Sequence, residues 1–169
     1  RDDSAWAGVE YLQDDDAIDG KSQHILSRQV TSGAVQLIQS NVTLSKDNNY
    51  EVGIWAKGKI GEPIELMLGK RDSPQKIYAQ NLFRITEQWE YYHFTAKVGV
   101  DDSDACFIVR LTSQGDVWLD EASLKKVIHA ENKTSIDSYN LIANGSFEVG
   151  LDRWAVKVRA VSYTHLRAH

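Results

Sequence analysis

The chain has 169 residues, 42% of them hydrophobic and 25% charged, a balance that suits one globular domain with an extension and excludes a disordered polymer. Its 24 acidic against 19 basic residues give a net charge of −5, which argues against a nucleic-acid partner because phosphate recognition runs on clustered Lys and Arg. No apolar run approaches the ~18 residues of a membrane helix, so no membrane partner is expected, and the single cysteine, Cys106, leaves no internal disulfide.

Taken in chain order, strands are expected at 24–30, 34–40, 50–57, 63–69, 76–83, 89–98, 105–112 and 116–125. Turn chemistry separates them: TSG, SKDNN, KGKIGE, KRDSPQ, VDDSD and SQGD. No segment sustains a 3.6-residue period. The expected fold is therefore all-β, a two-sheet antiparallel sandwich. Period-2 alternation sorts the side chains. Tyr50, Val52, Ile54 and Ala56 face one way, and Glu51, Gly53, Trp55 and Lys57 the other. Ile64, Leu66 and Leu68 point inward with Glu65 and Met67 outside. Val117 and Leu119 point inward with Trp118 outside, and Tyr92, Phe94 and Ala96 inward with Tyr91 and His93 outside. Trp55, Tyr91 and Trp118 are thus left on outer faces, where large rings are costly unless something covers them. Trp6 and Trp89, where loops meet the core, read as structural.

The order DGKSQHI, YEVGIWAKG, WEYYHFTAKV, GDVWLDEASL resembles the jelly-roll carbohydrate-binding modules of families 4, 9, 16 and 22 that accompany secreted glycoside hydrolases. The resemblance spans roughly Trp6 to Leu124. NGSFEVGLDRW (144–154) is similar to the opening strand of the same family, and DSAWA at 3–7 faintly echoes DRWA at 152–155. The organisation this implies is a module over 1–126 without its own first strand, a polar linker over 127–140, and the truncated start of a second module over 141–160. An open sheet edge recruits strands, so residues 141–149 can be expected to fold back and fill the first module's vacancy. The tail 161–169 reads as non-native and the start at Arg1 as that of a fragment, and the resemblance implies a secreted or cell-surface protein.

What the resemblance implies is non-catalytic binding of a polysaccharide or oligosaccharide, tethering an appended hydrolase to its substrate. Pyranose rings have apolar C–H faces edged with hydroxyls, and flat aromatic rings flanked by hydrogen-bonding side chains match them. Trp55 is the leading candidate. Tyr91, Trp118 and Tyr78 are further aromatics, with Gln80, Arg110, Glu65 and His93 as polar partners. Modules of this family commonly hold a structural Ca²⁺. By that analogy Asp120, carbonyls near Gly20 and Lys21, and Glu148 would supply its oxygens. The Asp14–Asp16 and Asp101–Asp104 runs read as solvated loops. No catalytic constellation stands out: the five histidines lack metal spacing, and there is no GxSxG or phosphate-cradling loop. The alternative reading is a structural interdomain spacer or protein-interaction sandwich with no sugar site.

Overall fold

The computed structural model describes residues 8–28, 34–71 and 76–159. Eleven strands follow in order: β1 (Val9–Asp14), β2 (Ser22–Ser27), β3 (Ala34–Leu44), β4 (Asn49–Ile60), β5 (Ile64–Gly69), β6 (Ile77–Phe83), β7 (Glu90–Lys97), β8 (Asp102–Leu111), β9 (Gly115–Ala130), β10 (Lys133–Ile136) and β11 (Ala155–Arg159). They form two antiparallel sheets, one ordered β1-β2-β9-β4-β7 with β10 beside β9, the other β11-β3-β8-β5-β6. The all-β sandwich expected from the sequence is the fold. Of the expected 24–30 strand, residues 29 and 30 lie outside the described residues, as do Trp6, the 3–7 echo and the 161–169 tail.

Alternation in the sequence becomes burial in the structure. Val52, Ile54 and Ala56 of β4, Leu119 of β9, Leu66 and Leu68 of β5 and Phe107 and Val109 of β8 all have no exposed surface, and they form one core between the sheets. Met67 departs from expectation. It is 2% exposed and packs with Ile38, Cys106 and Ile108 into a second apolar cluster on the other face of the second sheet. Those strands are apolar on both faces, so parity alone does not place a residue in water.

Where a linker was expected at 127–140, β9 continues to Ala130 and turns back as β10. The two-residue turn, Glu131–Asn132, has φ of 50° and 64°, the paired positive values of a type I′ hairpin whose twist matches its strands. Residues 141–149 form turns rather than the expected strand, and they pack against the first module. Ala122 donates its N–H to the Gly145 carbonyl at 2.8 Å, and Leu141 donates to Leu124 at 2.9 Å. The Gln39 side chain mimics a strand partner, exchanging both amide hydrogen bonds with Ala143 at 2.7 and 2.8 Å. Asn144, at φ 49°, organises the loop. Its amide donates to the Gly150 and Asp152 carbonyls, and its own carbonyl accepts the Trp154 indole N–H at 3.0 Å. Phe147 stacks on Trp154 at 5.2 Å, and Trp154 meets Phe107 edge-on at 5.9 Å. The stretch that resembles a module opening contributes Phe147 and Trp154 to the core of this sandwich.

Removing a wholly buried phenyl ring costs about 3–5 kcal/mol through lost transfer energy and the cavity left behind. Phe147→Ala is therefore expected to lower the urea midpoint by that much stability with an unchanged slope. A loss below ~1 kcal/mol would show that the 141–159 segment is dispensable to the sandwich.

Candidate functional site

On the outward face of the first sheet, register aligns side chains into rows that cross the strands. Leu12 opposes His24, His24 opposes Trp118 and Trp118 opposes Lys57, with Trp89 one residue ahead of β7. In the next row Trp55 lies between Asp120 and Tyr91. Neighbouring strands lie about 4.8 Å apart. The first row is thus a line of rings and one cation spanning the sheet.

The first row is held by the end of β1 and the loop that follows it. Asp14 accepts the Trp118 indole N–H at 2.9 Å, and Asp16 accepts that of Trp89 at 2.9 Å. Asp16 also pairs with Lys57, whose ammonium lies 4.8 Å from the Trp118 ring centre and 5.7 Å from that of Trp89. His24 lies flat on Trp118 at 4.2 Å and 6°, and is itself hydrogen-bonded to Asp116 at 2.8 Å. Both loop carboxylates sit below the usual range. The Asp16 backbone N–H and then the Trp118 indole hold Asp14 down, and Lys57 and then Trp89 hold Asp16 down. The aspartate run expected to be a solvated loop is a clamp on two indoles, and Trp89 belongs to this face rather than to a loop–core junction.

Trp55 is different. It is half-buried with Tyr91 tilted against it at 5.6 Å, and its indole N–H donates to no described residue. The indoles of Trp89, Trp118 and Trp154 are all committed. Tyr91 donates to Glu51 at 2.8 Å and stacks on His93 at 4.7 Å. Burial, reinforced by the Glu51 carboxylate, pushes its phenol up to about 12. Gly53 makes room for it, since a β-carbon there would collide with the Tyr91 hydroxyl. Beside this row a pocket of about 240 Å³ opens between Lys57, Lys59, Glu87, Asp116 and Trp118. The face thus joins one uncommitted indole to a cleft of charged hydrogen-bonding groups.

The other four residues singled out from sequence lie on the second sheet. Glu65 of β5 and Arg110 of β8 are cross-strand partners, with their charged groups 3.6 Å apart. Tyr78 packs on the core and donates to Asp102 at 2.7 Å, and Gln80 is exposed on the outer strand β6. They do not join Trp55, Tyr91, His93 and Trp118.

The four residues assigned to calcium do converge. Glu148 accepts the Lys21 N–H at 2.8 Å, and its carboxylate lies where a Gly20 side chain would have to sit. Gly20 is in the left-handed region at φ 63°. Asp120 has no exposed surface and accepts from Ile18 at 2.9 Å, Asp19 at 3.1 Å and Glu121 at 2.8 Å. Burial nonetheless pushes its carboxyl above the ordinary value. Glu121, which sequence reasoning did not single out, is raised by burial and then by Asp120, Asp19 and Glu148, and its buried Oε2 has no partner. Among the described residues, no three His, Cys, Asp or Glu side chains are grouped closely enough to hold an ion unaided, so carbonyls and waters would have to complete any site.

Comparison with known proteins agrees with this architecture. The sequence profile of the carbohydrate binding domain family matches residues 3–116. Among solved structures, a CBM4 module superposes with a TM-score of 0.59 at 16% identity, over 73% of this chain and 81% of that one. A family 16 carbohydrate binding module gives 0.50 at 20% identity, over 73% and 88%. The enzymatically active domain of bacteriophage CBA120 tailspike protein 4 gives 0.53 at 14% identity, over 66% of this chain and 17% of that one. No curated protein matches the chain. With a sandwich core, a clamped aromatic face and a profile match over most of its length, the chain belongs to the carbohydrate binding domain family and is a non-catalytic sugar-binding module.

Proposed function

We propose that this domain holds a polysaccharide across the outward face of the first sheet, with Trp55 as the stacking platform. The observation that carries this is the free indole: alone among the described tryptophans, Trp55 combines partial exposure with an uncommitted N–H. A sugar ring on that indole would bury its C–H face, and a hydroxyl of the adjoining ring, at the indole's edge, would accept the in-plane N–H. The pocket two residues along the strand, about 6.8 Å away, would hydrogen-bond the next ring through Lys57, Glu87 and Asp116. Trp118, gripped by His24, Lys57 and Asp14, serves as the wall of the cleft. That offset runs the chain along β4, from Trp55 toward Lys59. In the cell the domain would be secreted and would tether an attached glycoside hydrolase to its substrate, as its strand motifs imply.

Affinity electrophoresis against a panel of soluble polysaccharides tests the platform. Trp55→Ala is expected to weaken retention by roughly tenfold or more, the worth of a central aromatic contact. Arg110→Ala, on the other sheet, should leave retention unchanged. Equal retention of wild type and Trp55→Ala would contradict the platform, and no retention of either on any gel would favour a spacer.

A structural Ca²⁺ is the second part of the proposal. Asp120, Glu148 and the carbonyls near Gly20 and Lys21 would hold it, and the ion would supply charge that relieves the crowded carboxylates. Glu121, with its unpartnered buried oxygen, adds to the carboxylate crowding that such an ion would relieve. Bound a hundredfold above its dissociation constant, an ion adds about 2.7 kcal/mol, or roughly 5–10 °C for a chain of this size. The thermal midpoint should rise by that amount with calcium, fall with chelator, and stop responding in Asp120→Asn. An indifferent midpoint would contradict the site.

A further inference from the structure

A second cavity lies at one end of the sandwich, away from the sheet face. The chain turns between β3 and β4 there, β9 passes alongside at Lys126, and residues 137–141 return across it. The cavity measures about 230 Å³, and Thr43, Ser45 and Leu141 contribute to its walls. Its other four lining residues carry the chemistry.

Tyr50 is 2% exposed. Its phenol oxygen accepts the Ser45 N–H at 2.8 Å, and its own proton reaches no acceptor among the described residues. Tyr139, at the mouth, is 68% exposed, one of the most open large side chains described. Its backbone is pinned, because its N–H donates to the Asp137 carboxylate at 3.2 Å while Asp137 donates its own N–H to the Lys126 carbonyl at 2.8 Å. The Lys126 ammonium has no ion-pair partner among the described residues. An open phenyl face on a fixed backbone, a carboxylate, a free ammonium and a buried hydroxyl with a proton to give thus meet in one small space.

That combination matches a pyranose, which offers an apolar face for the ring and hydroxyls that both donate and accept. The volume is below the roughly 300–1,000 Å³ of ordinary ligand pockets, so it suits one ring rather than a chain. We propose that this cavity is a second carbohydrate site that takes a single terminal sugar. In it Tyr139 stacks on the C–H face, Asp137 and Lys126 bind the hydroxyls, and the Tyr50 proton is donated at the floor. The proposal rests on the sugar-binding reading of the domain but not on the sheet-face site. Tyr50 and Trp55 are five residues apart on β4, about 16 Å, and point to opposite faces. Both sites can therefore be filled at once, and two modest sites on one polysaccharide raise the effective affinity.

Amide chemical-shift mapping of the full chain tests this. The probes are the methyl β-pyranosides of glucose, xylose, galactose and mannose, together with cellohexaose and xylohexaose. At least one monosaccharide glycoside should shift the Thr43, Ser45, Asp137 and Leu141 amides saturably. The effect should persist in Trp55→Ala and weaken by roughly tenfold in Tyr139→Ala and Asp137→Asn. Both side chains lie at the surface, so the fold is retained. Hexaose shifts confined to the Trp55 face would overturn the second site and leave the first standing. Shifts confined to the cavity would support it and overturn the sheet-face reading. Silence at both surfaces, or an unchanged affinity in Tyr139→Ala, would overturn the proposal.

Discussion

The structure depends on the alternating side-chain order of two adjacent strands, β4 and β9. β9 runs between β2 and β4, and β4 between β9 and β7. Val52, Ile54 and Ala56 of β4 and Val117 and Leu119 of β9 add to the one core, while Trp55, Lys57 and Trp118 turn to the other face. A one-residue slip would exchange Val52, Ile54, Leu119 and Val117 for Trp55, Lys57 and Trp118. The hydrophobic penalty for that exchange fixes register, and register in turn fixes which rings stand side by side. The site is a consequence of how the core is filled.

Two segments distant in sequence then finish what the ladder starts. The end of β1 and the loop after it bring Asp14 and Asp16 onto indoles 104 and 73 residues further along, turning outward rings into a fixed surface. The 140–159 segment closes the core with Phe147 and Trp154 and, in the same turn, sets Glu148 against the loop at Gly20. Core completion and the acidic cluster share that segment. A bulge between Gly53 and Trp55 at the β4–β9 ladder lies beside Asp120 and Glu121, and Glu121 itself is at φ 49°. Bulges near functional positions re-aim side chains, and this one coincides with the step from the aromatic row to the acidic cluster.

Much of this was legible because period-2 alternation is a local signal. Which side of its own sheet Trp55, Tyr91 or Trp118 occupies follows from its neighbours. Which sheet a strand joins does not, and so Glu65 and Arg110, correctly turned outward, were grouped with residues on the other sheet. The run at Asp14–Asp16 looked like any solvated loop because its meaning lies in contacts across the fold. KTSI at 133–136 is too polar to announce a strand, and the turn at Glu131–Asn132 creates it. NGSFE carried the mark of a family strand, yet the side-chain hydrogen bonds of Asn144 fold it into turns. Asp120, Glu148, Gly20 and Lys21 were recoverable only through resemblance, since no local pattern links positions this far apart.

Sugar held on the first sheet's outward face should shield that face from solvent. Hydrogen–deuterium exchange of the full chain, with and without the polysaccharide that retains it best, tests it directly. Exchange is expected to slow at 55–59, 87–91 and 116–118. Protection confined to the second sheet, at 65–67 and 106–110, would contradict it.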